Sequence, residues 1–137
     1  MPMTTEQANA ILIKKIGQFT GALKENVRFE NQQLPNGKPF VAPTDKVWCK
    51  VFIEYGDSQL ASIGNSPCVR DFGLISIQCF APLNSGTKAM DKLCDAWRLF
   101  FQSFTDTHLE VYKVNAPQSI QDKDFYAKIV RAEFRVN

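Results

Sequence analysis

Clusters of residues that carry chemistry are scarce in this sequence. Its 137 residues hold one histidine, His108, and four cysteines, Cys49, Cys68, Cys79 and Cys94, none of them in a C-x-x-C pair. Zinc sites generally present their ligands in close pairs. The thiols therefore read as small buried apolar residues in a reducing compartment. No local signature surrounds a Cys–His nucleophile pair, and a lone histidine at a strand start reads as structural or exposed. Gly86-Thr87-Lys88 has the letters of a phosphate loop in the wrong order, because that loop needs its Lys before the Ser or Thr, after a Gly-rich run. Asp122 and Asp124 flank Lys123 in a polar stretch and read as a solvated turn. Arg70-Asp71 reads as a surface ion pair of little worth. The sequence thus predicts no enzyme and no cofactor or metal.

Runs of one charge and long apolar runs are missing too. The net charge is +2, and Lys14-Lys15 is the one adjacent basic pair. Nucleic-acid binders typically carry a basic stripe, so sequence-specific nucleic-acid binding is not expected. No apolar run is long enough for a membrane span. Met1 to Lys15 lacks the charged-then-apolar order of a signal peptide, which predicts a protein made and kept in the cytoplasm.

What remains fits a single α+β domain over residues 1–137, with an ordinary 45% hydrophobic and 22% charged composition. Thr4 and Gln7 have capping-box spacing. Ala8, Ile11, Leu12, Ile16, Phe19 and Leu23 then recur at helical intervals, with Gly21 marking fraying or the helix end. Asn26 to Asp45 reads as a connector with a short edge strand over Val27 to Asn31 and a turn at Pro35-Asn36-Gly37. Pro39 and Pro43 keep the following stretch extended and off any central strand.

Lys46 to Gly56 alternates as a strand, Asp57 to Pro67 reads as a long loop, and Cys68 to Ala81 is a second strand. Pro82 stops it. A second helix over Lys88 to Phe104 carries the stripe Met90, Leu93, Cys94, Trp97, Phe100, Phe101 and Phe104, with Trp97 as the core anchor. Strands follow over His108 to Val114 and Phe125 to Val136, separated by a polar loop. The order α-β-β-α-β-β predicts a largely antiparallel or mixed sheet with both helices on one face. It is also a circular permutation of the ferredoxin-like split βαβ pattern, kept as the alternative topology.

A sheet covered on one face should be polar on the other. Here Trp48, Phe52, Phe72, Leu74 and Phe80 fall on that second face among Lys50, Glu54, Ser76 and Gln78. Large aromatics among polar residues suit a surface covered by a partner, and these five are the candidate subunit interface. The competing reading is that the connector from Val27 to Phe40 folds back over them.

From Trp48 to Phe104 the chain runs Trp48, Gly64, Arg70-Asp71-Phe72-Gly73, alternating Leu74, Ile75 and Ile77, Phe80-Ala81-Pro82, then Gly86 before an amphipathic helix. In this order it resembles the tail-terminator (tail completion, minor tail) proteins of long-tailed bacteriophages. The resemblance implies a structural virion protein encoded by a phage or prophage. Such proteins form a homo-oligomeric ring, commonly a hexamer, on the last ring of the tail tube, end its polymerisation and present the head-joining surface. The implied partners are other copies of the chain, the tail tube protein and a head–tail connector protein. The implied location is the virion tail after assembly in the host cytoplasm. Genome DNA would pass through the lumen without being read. Gly73 and Gly86 are then expected to relieve backbone constraint at a bulge or turn, and Pro82 to close a strand. Another phage tube or head-closure subunit is the nearest alternative. From a different class, the alternative is a small ligand-binding or catalytic α+β domain.

Overall fold

The computed structural model describes residues 3–30, 40–56, 59–60 and 69–137. Gly64 and Cys68, the Pro35-Asn36-Gly37 turn, Pro39, and all but Gln59 and Leu60 of the Asp57–Pro67 stretch lie outside them. Helix α1 spans Thr5–Ile16 and begins as the capping box predicts. The Gln7 amide donates to Thr4 Oγ1 at 3.2 Å, and the Thr4 amide donates to Gln7 Oε1 at 2.9 Å. The helix is shorter than its apolar spacing predicts. It caps at Gly17, and the chain turns so that Phe19 stacks on Trp97 at 3.6 Å between ring centroids. Gly21 is therefore not the helix end. A Cβ there would lie 2.4 Å from the Phe19 ring, so Gly21 makes room for that ring.

The strands are β1 (Val27–Phe29), β2 (Trp48–Tyr55), β3 (Gln59–Leu60), β4 (Val69–Ala81), β5 (Thr105–Asp106), β6 (Leu109–Val114), β7 (Gln118–Ile120) and β8 (Tyr126–Val136). Helix α2, Lys88–Phe101, follows β4 and ends one turn before Phe104. The sheet order is β1-β2-β4-β8-β6-β5, with β3 paired to β4 and β7 paired to β8. Among the described strands only β1 runs parallel to its neighbour, β2. Strands β3 and β7 were predicted as loop. Each is two or three residues long and extends the pairing of a much longer partner.

Strands β2, β4, β8 and β6 are antiparallel throughout. Strands β4 and β6 thus run parallel, joined through α2, with β8 inserted between them. This is the strand order of a ferredoxin-like sheet whose first strand has been moved to the end of the chain, so the alternative topology is the one adopted. Strand β1 adds a parallel edge to it.

Both helices cover one face. Ala8, Leu12 and Ile16 of α1 and Met90, Leu93, Trp97 and Phe101 of α2 share one core with Cys49, Val51, Ile75, Ile77, Val130, Ala132 and Phe134. Trp97 is fully buried, and its indole N–H donates to Cys49 Sγ at 3.3 Å. Cys49, Cys79 and Cys94 are buried and free. The thiols of Cys49 and Cys94, and then burial, push the Cys79 thiol far above its ordinary value, which suits packing rather than reactivity.

Two of the glycines have different roles. Gly86 takes φ +82° in the turn before α2, as a turn glycine should. Gly73 is at no bulge. It keeps register with Tyr55 and Phe134 on its two sides, and a Cβ there would lie 2.2 Å from Phe134 Cζ. The missing side chain is a seat for that ring. Strand β4 ends at Ala81, and the Ser85 hydroxyl donates to the Pro82 carbonyl at 2.6 Å. Arg70 is tied down by its Nε, which donates to Asn137 Oδ1 at 2.6 Å.

Candidate interaction face

Strand alternation sends every second residue of β2, β4 and β8 away from the helices. The resulting face divides into three zones. At one end, Trp48 and Phe80 stack at 4.1 Å with 13° between their planes. Phe40 lies 5.5 Å from Trp48, and Phe125 meets it edge-on at 5.3 Å. Ala42, Ile120 and Ala127 complete this second core. Trp48 is 5% exposed and Phe80 is 4% exposed, so these two interface candidates are covered by their own chain. The cover comes partly from the connector, through Phe40 and Ala42. It also comes from Ile120, in what read as a polar loop, and from Phe125, read as the first residue of the last strand. Asp122 shapes the chain between them by accepting from the Asp124 and Phe125 amides at 2.9 and 3.0 Å, a turn rather than a carboxylate pair.

The middle zone is open. Phe52 and Leu74 are half-buried and, with Ser76, Gln78, Ile129 and Arg131, line a groove of about 470 Å³. Arg131 is held at its rim by donating to Gln118 Oε1 at 2.8 Å.

The third zone lies towards β6, whose register shifts between Val111 and Lys113. This bulge carries Tyr112 out to 41% exposure, where its ring meets Phe72 edge-on at 6.3 Å. Arg135 sits 5.3 Å from the Tyr112 ring and donates from Nε and Nη2 to Glu110 Oε2 at 3.1 and 3.0 Å. Phe72 is therefore half-buried within the chain, and the open part of the face centres on the half-buried Phe52 and Leu74, with Ile129, 6% exposed, lining the groove between them.

A separate surface lies beside the outer side of α2. Leu99 is 73% exposed and, with Asp95, Arg98, Gln102, Tyr112 and Val114, borders a cleft of about 530 Å³ against β6. Among the described residues no group of three His, Cys, Asp or Glu side chains is placed to hold a metal ion. No helix there is long and apolar enough to cross a membrane.

The five candidate residues share a face, as alternation requires, but not one environment. Sequence reasoning missed Ile129 and Tyr112. Ile129 fell within the last predicted strand without being joined to Phe52 and Leu74. Nothing in the sequence marks the bulge that brings Tyr112 over Phe72.

No family model and no curated protein matches the sequence. One solved structure, with a name that describes no function, superposes with a TM-score of 0.65 over 98% of this chain and 96% of its own, at 13% identity. That likeness shows a shared fold.

Proposed function

We propose that the chain is a non-enzymatic structural subunit that forms a ring, caps a phage tail tube and offers the surface that joins tail to head. A closed ring is built from head-to-tail contacts, so each subunit needs two different complementary patches. The observation that carries the reading is a pair of separate surfaces, each with apolar side chains set among polar ones. The Phe52–Leu74–Ile129 strip lies on the open sheet face, and Leu99 projects from α2 on the opposite, helical side. The resemblance carried by Trp48, Arg70-Asp71-Phe72-Gly73, Phe80-Ala81-Pro82 and Gly86 supplies the tail-terminator role. With it come the partners: further copies of the chain, probed first as a hexamer, the tube protein and the connector.

The test is solution mass by light scattering, with negative-stain images, for the wild type and for Phe52→Asp and Leu99→Asp. The wild type is expected to give rings of fixed size that never lengthen. Each variant should stay folded and monomeric. A mixture of the two should stop at dimers, because each variant keeps one good patch. Tubes instead of rings would move the chain to the tube-subunit alternative. Unfolding of Phe52→Asp would make the strip internal and sink the interface.

The second reading, a small ligand-binding domain, draws on the 530 Å³ cleft with Asp95, Arg98 and Lys113 at its border. A monomer at every protein concentration, with or without tail tubes, would favour it.

A further inference from the structure

Arg28 sits in β1, directly across from Lys50 of β2. Val27 and Phe29 point into the core, so Arg28 points to the other face, beside Trp48 and Lys50. It is 7% exposed, yet its Nε and Nη2 have no hydrogen-bond partner. Trp48, 5% exposed, holds its indole N–H in the same condition. The two flank one ring. The guanidinium carbon lies 5.3 Å from the Phe40 centroid, and the Trp48 ring lies 5.5 Å from it. Lys50 Nζ is 5.6 Å from the Trp48 ring. Among the described residues neither Arg28 nor Lys50 has an ion-pair partner. Glu30, the residue after β1, is exposed, and residues 31–39 contain no Asp or Glu.

The buried side-chain groups left without a partner here, on Arg28 and Trp48, are all donors. Guanidinium, ammonium and indole N–H have no acceptor capacity. A buried cation without a counter-charge is among the least favourable arrangements a fold can hold, and an oxyanion relieves the guanidinium, with the indole N–H as a second donor and the exposed Lys50 ammonium as a nearby charge.

We propose that Arg28, Trp48 and Lys50 form an oxyanion site, selective for a carboxylate. A carboxylate is planar and accepts the paired N–H groups of a guanidinium side by side. It is also small, as donors with so little exposure require. The carboxylate comes either from a small free anion or from an Asp or Glu side chain of a neighbouring protein chain. The site does not depend on the ring reading.

The test follows the Arg28 Nε–H and Trp48 Nε1–H resonances in ¹⁵N-labelled protein. Sodium acetate, inorganic phosphate, sodium chloride and a short DNA duplex are titrated separately at constant ionic strength. Acetate is expected to move both resonances together along one saturating curve. Phosphate should act more weakly, and chloride and DNA not at all. Lys50→Met, at an exposed position, should weaken acetate about threefold. Arg28→Gln, checked for an unchanged fold by its remaining amide spectrum, should abolish the response. Resonances that already sit at the saturated position in the assembled protein, and move only when it is diluted to monomer, would identify a neighbour's carboxylate as the source. The inference is overturned by a linear or absent acetate response in monomer, by an equal response to chloride, or by full retention in Arg28→Gln. It is also overturned if Arg28 Nε–H shows exchange with a long-lived bound water and no response to acetate.

Discussion

Adding one methyl group at Gly73 tests the packing of the sheet centre. The added Cβ would meet Phe134 at 2.2 Å on Cζ, 2.6 Å on Cε1 and 2.7 Å on Cε2. An ordinary carbon contact is about 3.5–4.0 Å, so the ring would have to lift by more than an ångström. It has nowhere to go. Phe134 is fully buried and meets Tyr55 edge-on at 5.6 Å. Forcing an extra methyl group into a packed core typically costs about 1–3 kcal/mol. Against that, Ala is better than Gly inside a strand by about 0.5–1 kcal/mol, and Gly73 has no positive φ to protect. Gly73→Ala should therefore destabilise the protein by about 1–2 kcal/mol. In a Phe134→Leu background the ring is gone, and the same substitution should stabilise by about 0.5 kcal/mol. Equilibrium urea unfolding of all four proteins, with unchanged slopes, reads both numbers and their coupling. A Gly73→Ala penalty equal in both backgrounds, or a gain in the wild type, would refute the ring-seat explanation.

Two further outcomes follow from the core. Trp97→Ala removes a fully buried ring stacked on Phe19 and Phe101; it should cost about 3–5 kcal/mol, seen as a lower urea midpoint with Trp48 fluorescence as the remaining reporter. Burial, and after it the Asp71 carboxylate, raise the Tyr55 hydroxyl above its ordinary 10.0. The folded chain then keeps a proton that the unfolded chain loses, so the stability tied to Tyr55 is complete below pH 10 and declines as pH rises through the folded value. Tyr55→Phe should lower stability by about 1 kcal/mol at neutral pH, through its lost hydrogen bond, which runs to Asn9 Oδ1 at 2.7 Å. Its deficit against the wild type should shrink above pH 10; a deficit constant across that range would contradict the assignment.

Much of the fold was legible because alternation and helical spacing are local. Thr4 and Gln7 mark a helix start, and Ile75, Ile77 and Cys79 mark a buried face, without knowledge of any distant residue. What failed depended on partners far along the chain. Gly73 read as a bulge because its reason, the Phe134 ring, arrives four strands later in sequence. Trp48 and Phe80 read as surface because their cover is assembled from residues far apart in the chain, Phe40 and Ala42 on one side and Ile120 and Phe125 on the other. Arg28 drew no notice, since one arginine in a short edge strand looks solvated until its neighbours are placed. The candidate strip was legible as a face and illegible in extent, because alternation reports direction and not coverage.

The inserted position of β8 sets the order in which the protein can exist. It lies between β4 and β6 and pairs with β4 from Asp71–Val136 to Ala81–Tyr126. On the ribosome, β2, β4, α2 and β6 therefore emerge with a strand-wide gap at their centre. They wait with open edges until β8 is synthesised, and edges of that kind invite wrong partners. Folding is then expected to complete as a late event, once β8 has been made. A chain cut after Asp124 should be digested throughout by a dilute protease, while the complete chain resists. A stable fragment spanning β2 to α2 would show that the sheet can start without its keystone strand.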